Sequence, residues 1–309
     1  MHEEITIPEL TEVVARLSAI LGKREGAVVQ LEGGITNRNF RVNFGGTDYV
    51  VRLPGKKTNA LGIDREAERM ATKAAAGLGI APKVAAMTED PPCLVTWFVP
   101  GHRVSAEELR QPELLDSVAG DLRAFHDSGV ELPTTFDTVA LAESYARIAV
   151  ENGIEPPAAY EEAHRRAVAI GKAVKRSLEH SPVPCHNDLL TANFILDVDR
   201  VQLIDWEYAG MGDRWFDLGN FSVNNELSDE HEERLLTTYF GEAPDARRRA
   251  TLKLFRFMSD VREAMWGVVQ SAISELDFDF TGYATKHFDR LTAIAGDPRF
   301  DSWLREAKR

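Results

Sequence analysis

The sequence predicts an α+β chain of two unequal lobes, a small N-terminal one rich in β-sheet and a larger, mainly helical C-terminal one. Three observations predict it. Short runs of alternating apolar and polar residues cluster in the first third of the chain, and long helical periods fill most of the remainder. A dense group of His, Asp and Asn residues falls after the junction. The expected division is 1–98 and 99–309, with a hinge near Thr96 to Gly101. At 309 residues and 44% hydrophobic, the chain is long enough to give both lobes a core.

Taken in order, Ile7 to Leu21 carries an amphipathic helical pattern. Val28-Val29-Gln30-Leu31, Asn39 to Phe44 and Asp48 to Leu53 alternate as short antiparallel strands, and Gly45-Gly46 turns the hairpin between the last two. Arg65 to Gly77 reads as an Ala-rich helix and Leu94 to Val99 as a further strand. From Ser105 onward helix dominates, with long helices expected over 158–179 and 246–275. One hairpin interrupts them, built from Phe194-Ile195-Leu196 and Val201-Gln202-Leu203-Ile204.

The formal charge of -13 argues against nucleic acid or an anionic membrane as the main partner, since both reward clustered Lys and Arg. It is compatible with a cationic substrate. Two cysteines, Cys93 and Cys185, fit a reducing compartment. The acidic start Met1-His2-Glu3-Glu4 has no apolar segment behind it, and no run approaches the ~20 apolar residues of a membrane span. A cytoplasmic protein is expected, and its oligomeric state stays open.

The most informative stretch is Pro184-Cys185-His186-Asn187-Asp188-Leu189-Leu190-Thr191-Ala192-Asn193, followed by Ile204-Asp205-Trp206-Glu207. In phosphoryl-transfer centres an Asp on a loop accepts the proton of the attacking hydroxyl, an Asn five residues later helps hold Mg²⁺, and a later Asp bridges the metal to phosphates. Asp188, Asn193 and Asp205 fall at that spacing. The strand expected over 200–204 carries Asp205 back to the loop, and hard oxygen donors of this kind suit Mg²⁺. Upstream, Leu31-Glu32-Gly33-Gly34-Ile35-Thr36-Asn37-Arg38-Asn39-Phe40 joins two strands. Glycines there let backbone amides approach phosphate oxygens, although a plain hairpin turn has the same composition.

The His-x-Asp-x-x-x-x-Asn loop, with Ile204-Asp205-Trp206-Glu207-Tyr208 and Phe216-Asp217-Leu218-Gly219-Asn220, resembles the choline/ethanolamine kinase branch of the aminoglycoside-phosphotransferase-like superfamily, over about Leu31 to Leu291. The resemblance implies a protein-kinase-like fold and an ATP- and Mg²⁺-dependent kinase of a small cationic alcohol. It implies Asp188 as base, Asn193 and Asp205 as metal ligands, and Gly33, Gly34, Thr36 and Asn37 as a cover over the phosphates. Arg52 takes the phosphate-binding position, paired with Glu68 or, failing that, Glu66. The backbone around Trp97 and Val99 faces adenine. His186 and Asp217 brace the catalytic loop.

For the acceptor, the resemblance points to Trp266 in Arg262-Glu263-Ala264-Met265-Trp266, since aromatic faces hold quaternary ammonium groups. This chain departs from the family at two places. Glu263 stands where a second Trp is found in eukaryotic choline kinases, and the expected acidic position falls at Asn224, with Glu226 two residues off. Glu207, Tyr208 and Trp215 are further candidates for a cationic pocket. Ethanolamine, another amino alcohol, an aminoglycoside, thiamine and homoserine remain acceptors compatible with this centre, GTP remains compatible as donor, and a nucleotide-binding pseudokinase is the non-catalytic alternative.

Overall fold

A computed structural model describes residues 7–31, 37–55, 58–90, 92–174 and 180–308. Helix α1 (Pro8–Leu21) turns Leu10, Val13 and Leu17 inward, the i, i+3, i+7 spacing of a helix with one apolar face. Strands β1 (Arg24–Leu31), β2 (Arg38–Phe44) and β3 (Thr47–Leu53) follow, with Gly45 and Gly46 at φ 58° and 81° in the β2–β3 turn. Both positive φ values are what a tight hairpin between right-twisted strands requires. Helix α2 (Arg65–Gly77) starts where the Asp64 side chain accepts from Ala67 N at 2.8 Å. Strands β4 (Val84–Glu89) and β5 (Pro92–Trp97) complete an antiparallel sheet of order β1-β2-β3-β5-β4.

The sequence reading did not anticipate β4. Its Val84-Ala85-Ala86-Met87-Thr88 run carries only two β-branched residues, and pairing with β5 rather than propensity makes it a strand.

Strand alternation sorts the sheet's side chains. Phe40, Val42, Phe44, Tyr49, Val51, Leu53, Cys93 and Val95 form one core with α1. Val50, Arg52, Leu94 and Thr96 take the opposite face and line a cleft. That alternation aims Arg52 out of the small core.

The C-terminal region is mainly helical. It contains β6 (His102–Arg103), α3 (Ala106–Leu109), α4 (Pro112–His126), α5 (Thr138–Glu151), α6 (Ala159–Val174), β7 (Val183–Cys185), β8 (Phe194–Asp197), β9 (Arg200–Leu203), β10 (Gly210–Gly212), α7 (Arg214–Asn224), α8 (Asp229–Phe240), α9 (Ala246–Ile273), α10 (Phe280–Ala295) and α11 (Phe300–Glu306). Helix α9 packs against α5, α6, α7, α10 and α11, so it is buried almost all round from Ala250 to Gln270. The α7 crossing is close because Gly219 lacks a side chain; a Cβ there would lie 2.5 Å from the Phe255 carbonyl carbon. The larger core also takes in Leu61, Ile63, Ala71, Ala75, Ile80 and Ala81, so α2 packs toward the helical region. Among the described residues no helix is long and apolar enough to cross a membrane.

Candidate active site

The loop that carries Asp188 leaves β7 at Cys185, which pairs with Gly210 of β10, and ends in a single 3-10 turn at Thr191–Asn193. The β8–β9 hairpin then returns the chain, and Ile204 N donates to Asn193 O at 2.9 Å. That bond sets Asp205 beside the loop. Asn187 and Asp205 both hold positive φ, 66° and 65°. Such conformations persist in non-glycine residues where surrounding bonds impose them.

The imposing bonds are identifiable. Asp217, fully buried in the first turn of α7, accepts from His186 N at 2.8 Å and Asn187 N at 2.7 Å, while His126 Nε2 lies 3.0 Å away. His186 Nε2 donates to Ile204 O at 3.0 Å and its Nδ1 accepts from Asp188 N at 3.1 Å, which fixes one neutral tautomer. Burial lowers the His186 pKa, in keeping with that neutral form. The Asn220 amide oxygen takes Leu189 N, and Asn187 Nδ2 donates to Tyr208 O at 3.0 Å.

Asn193 Nδ2 donates to both Asp188 O at 2.8 Å and Asp188 Oδ2 at 3.0 Å. Arg262 Nη1 donates to Asp188 Oδ1 at 3.1 Å. Burial nonetheless pushes the Asp188 carboxyl up to about 7 against the pull of that guanidinium, with Glu263 and Asp205 adding to the rise.

A second ionic group bridges the two regions. Arg52 Nη1 donates to Asp205 Oδ1 at 2.7 Å and Glu68 Oε1 at 3.1 Å. Burial works against the charge of Arg52, but Asp205, Glu68 and Glu207 outweigh it and hold its pKa above the ordinary value. Glu66 pairs instead with Arg69, one helical turn away on the surface. Arg65, which the sequence reading did not single out, donates to Glu68 at 2.7 Å and lies 3.6 Å from Glu207. Asn37 Nδ2 donates to Glu207 Oε2 at 2.8 Å, and burial pushes Glu207 up to about 8.

The cleft beside Arg52 is a cavity of about 230 Å³, walled by Leu31, Val50, Thr96, Val99, Ile195 and Asp205 among others. Gly33, Gly34 and Thr36 lie outside the described residues. The hinge residues Trp97 and Val99 line the same cleft. The Trp97 amide donates to Lys83 O at 2.8 Å and Phe98 N to Asp48 O at 3.0 Å, so the sheet engages both N–H groups.

At the other end of Asp188 the structure regroups the acceptor candidates. Trp266 Nε1 donates to Tyr208 Oη at 2.8 Å, and the Arg262 guanidinium carbon sits 4.2 Å from the Tyr208 ring centre. Arg262 Nη1 also donates to Glu263 Oε1 at 2.7 Å, and Tyr283 Oη donates to Glu263 Oε2 at 2.7 Å. Burial opposes ionisation of Glu263, yet Arg262, His287 and the Tyr283 bond hold its pKa below the usual value.

Four candidates fall elsewhere. Trp215 is core, packed on Phe240 at 5.2 Å and on His180. Asn224 accepts from Arg290 at 2.7 Å, Glu226 is exposed and 3.6 Å from Arg110, and Glu207 is committed to Asn37 and Arg65. Arg262, Asn220 and Tyr283 were missed. The signal available was the run Asp260-Val261-Arg262-Glu263 ahead of the apolar stretch Ala264 to Val269, whose charges fall on successive helix faces, so that some must be buried against partners.

A profile of the phosphotransferase enzyme family (APH) matches residues 27–252. The chain belongs to that family. A choline/ethanolamine kinase family protein from Mesorhizobium loti is 30% identical, with a TM-score of 0.83 over 97% of this chain and 99% of that one. A probable ethanolamine kinase of Arabidopsis thaliana is 25% identical over 90% of this chain and 83% of its own length. LicA, solved in complex with AMP, is 25% identical with a TM-score of 0.75, covering 98% of this chain and 99% of that one. The protein is thus a phosphotransferase with the two-lobed kinase-like fold, similar in sequence and structure to the choline/ethanolamine kinases.

Proposed function

We propose that this phosphotransferase moves the γ-phosphate of ATP, with Mg²⁺, to the hydroxyl of a small amino alcohol of the choline or ethanolamine kind. The carrying observation is the convergence of Asp188, Asn193 and Asp205 beside a cleft into which Arg52 points. The AMP complex of LicA supports an adenine nucleotide as donor.

Asp188 is the base. Asn193 holds one of its oxygens and Arg262 the other, so the carboxylate is fixed when a hydroxyl arrives. A carboxyl pushed up to about 7 takes up and releases a proton near neutral pH, as a general base must. Asn193 and Asp205 would hold Mg²⁺. The donor set, a carboxylate and an amide oxygen, fits a hard cation, since the Asn193 nitrogen is already committed to Asp188 and its oxygen is the atom left for a metal. When bound, the ion supplies charge neutralisation at the phosphates. Arg52, held by Glu68, offers its remaining donors to phosphate oxygens. His186 and Asp217 hold the loop rather than exchange protons with substrate, because their bonds run to the loop amides, to Ile204 O and to His126.

The test is ADP release with ATP and Mg²⁺ against choline, ethanolamine, other amino alcohols, thiamine, homoserine and an aminoglycoside. Turnover with an amino alcohol, abolished in Asp188→Asn while nucleotide still binds, is the expected result. Silence with all amino alcohols refutes the acceptor, and near-normal turnover by Asp188→Asn refutes the base.

A further inference from the structure

We infer that Arg262 sets which amine the acceptor can carry, because its guanidinium fills the aromatic seat that a quaternary ammonium needs, leaving a site that selects primary ammonium. This inference rests on the amino-alcohol reading above and narrows it.

Arg262 is 2% exposed and lies face-on to Tyr208, 4.2 Å from the ring centre. Its Nη1 serves both Asp188 and Glu263, while its Nε and Nη2 are buried with no acceptor among the described residues. A guanidinium with two of its three nitrogens unpaired is costly to bury. What offsets that cost here is the ring face and the two carboxylates, so the side chain is held at the acceptor end of Asp188 by the groups that would otherwise attract a ligand cation. The second aromatic is also engaged. Trp266 is tied to Tyr208 through Nε1, and the rings of Phe280 and Tyr283 lie in edge contact with it at 5.8 and 5.3 Å.

A trimethylammonium group has no N–H and gains its binding from aromatic faces and net charge. At this site the Tyr208 face is taken by a like charge. A primary ammonium has three donors and depends less on ring faces. The site still attracts one small cation: once Asp188 is ionised, as it is above about pH 7, it and Glu263 carry two negative charges against the single positive charge of Arg262. Glu263 Oε2, now bonded to Tyr283 Oη at 2.7 Å, offers a further lone pair beside the base.

The experiment follows kcat/KM along ethanolamine, N-methylethanolamine, N,N-dimethylethanolamine and choline. In the wild type the value falls with each methyl group, by at least about tenfold from first to last, the size of one lost cation–π contact at a desolvated site. Arg262→Met lowers turnover generally, through Asp188, but raises the choline-to-ethanolamine ratio at least about fivefold. Arg262→Lys keeps the positive charge and the discrimination. A wild-type enzyme that uses choline as well as ethanolamine, or an unchanged ratio in Arg262→Met, overturns the inference while leaving the amino-alcohol reading intact. Silence along the whole series overturns both. Should Arg262→Met fail to fold, wild-type competition decides: ethylammonium must inhibit at lower concentration than tetramethylammonium, and the reverse order refutes the role of Arg262.

Discussion

Replacing Asp217 with Asn tests whether the catalytic loop is held from below. The wild-type carboxylate accepts two loop amides, at 2.8 and 2.7 Å from His186 and Asn187, on separate oxygens, and lies 3.0 Å from His126 Nε2. An Asn side chain has a single acceptor oxygen, so one loop N–H must face an NH₂ group. Stranding that buried donor in place of its bond to a charged group costs about 2–3 kcal/mol. Against the roughly 5–15 kcal/mol of a typical domain, the variant stays folded at room temperature but its Tm falls by several degrees. Asp188 is one residue beyond the loosened amides, and a misplacement of about 1 Å costs on the order of 100-fold in kcat. Asp217 does not line the nucleotide cleft, so KM for ATP stays within about twofold of wild type. Steady-state kinetics with calorimetric melting checks this. A variant with wild-type Tm and kcat, or one whose loss falls on KM for ATP, refutes the reasoning.

Asp205→Ala removes the proposed metal ligand and the Arg52 partner, and Mg²⁺-dependent ATP binding should disappear in a calorimetric titration; an unchanged isotherm discards the role. Asp188 and Glu207 titrate near 7 and 8 in the fold, above their ordinary 3.8 and 4.5, so protonation favours the folded state. Their contribution is full below those ordinary values and is lost as pH rises through 7 to 8, so metal-free protein should denature at lower urea concentration at about pH 8.5 than at about pH 6. Glu207→Gln should shrink the difference. Gly219→Ala drives a Cβ to 2.5 Å from Phe255 backbone, forcing α7 from α9 at a cost of about 1–3 kcal/mol or more, read as a lower Tm.

Much of this was legible in the sequence because short-range rules govern it. Period-two alternation put Arg52 on the face opposite Val51, and the five-residue interval of Asp188 and Asn193 fits one loop closed by an internal bond. Other features depend on contacts distant in sequence. Glu207 and Tyr208 are neighbours in the chain, yet one turns to Asn37 and Arg65 and the other to Arg262 and Trp266, 170 and 58 residues away in the extreme pairs. Trp215 and Trp266 are the same residue type in helices buried almost all round, and only packing separates a core ring from one beside Asp188. The engaged amide of Trp97 left no trace, because backbone bonding is indifferent to the side chain.

The two cysteines divide between the regions, and that gives the protein a pair of internal clocks. Cys93 lies in the small sheet core and Cys185 at the end of β7 beneath the catalytic loop, and burial pushes the first thiol up to about 12 and raises the second as well. Thiolate is the reactive form, so neither reacts while its surroundings stay shut. Their labelling rates therefore time separate openings, one of the sheet and one of the loop's floor. Nucleotide that steadies only one region should slow only one of the two rates.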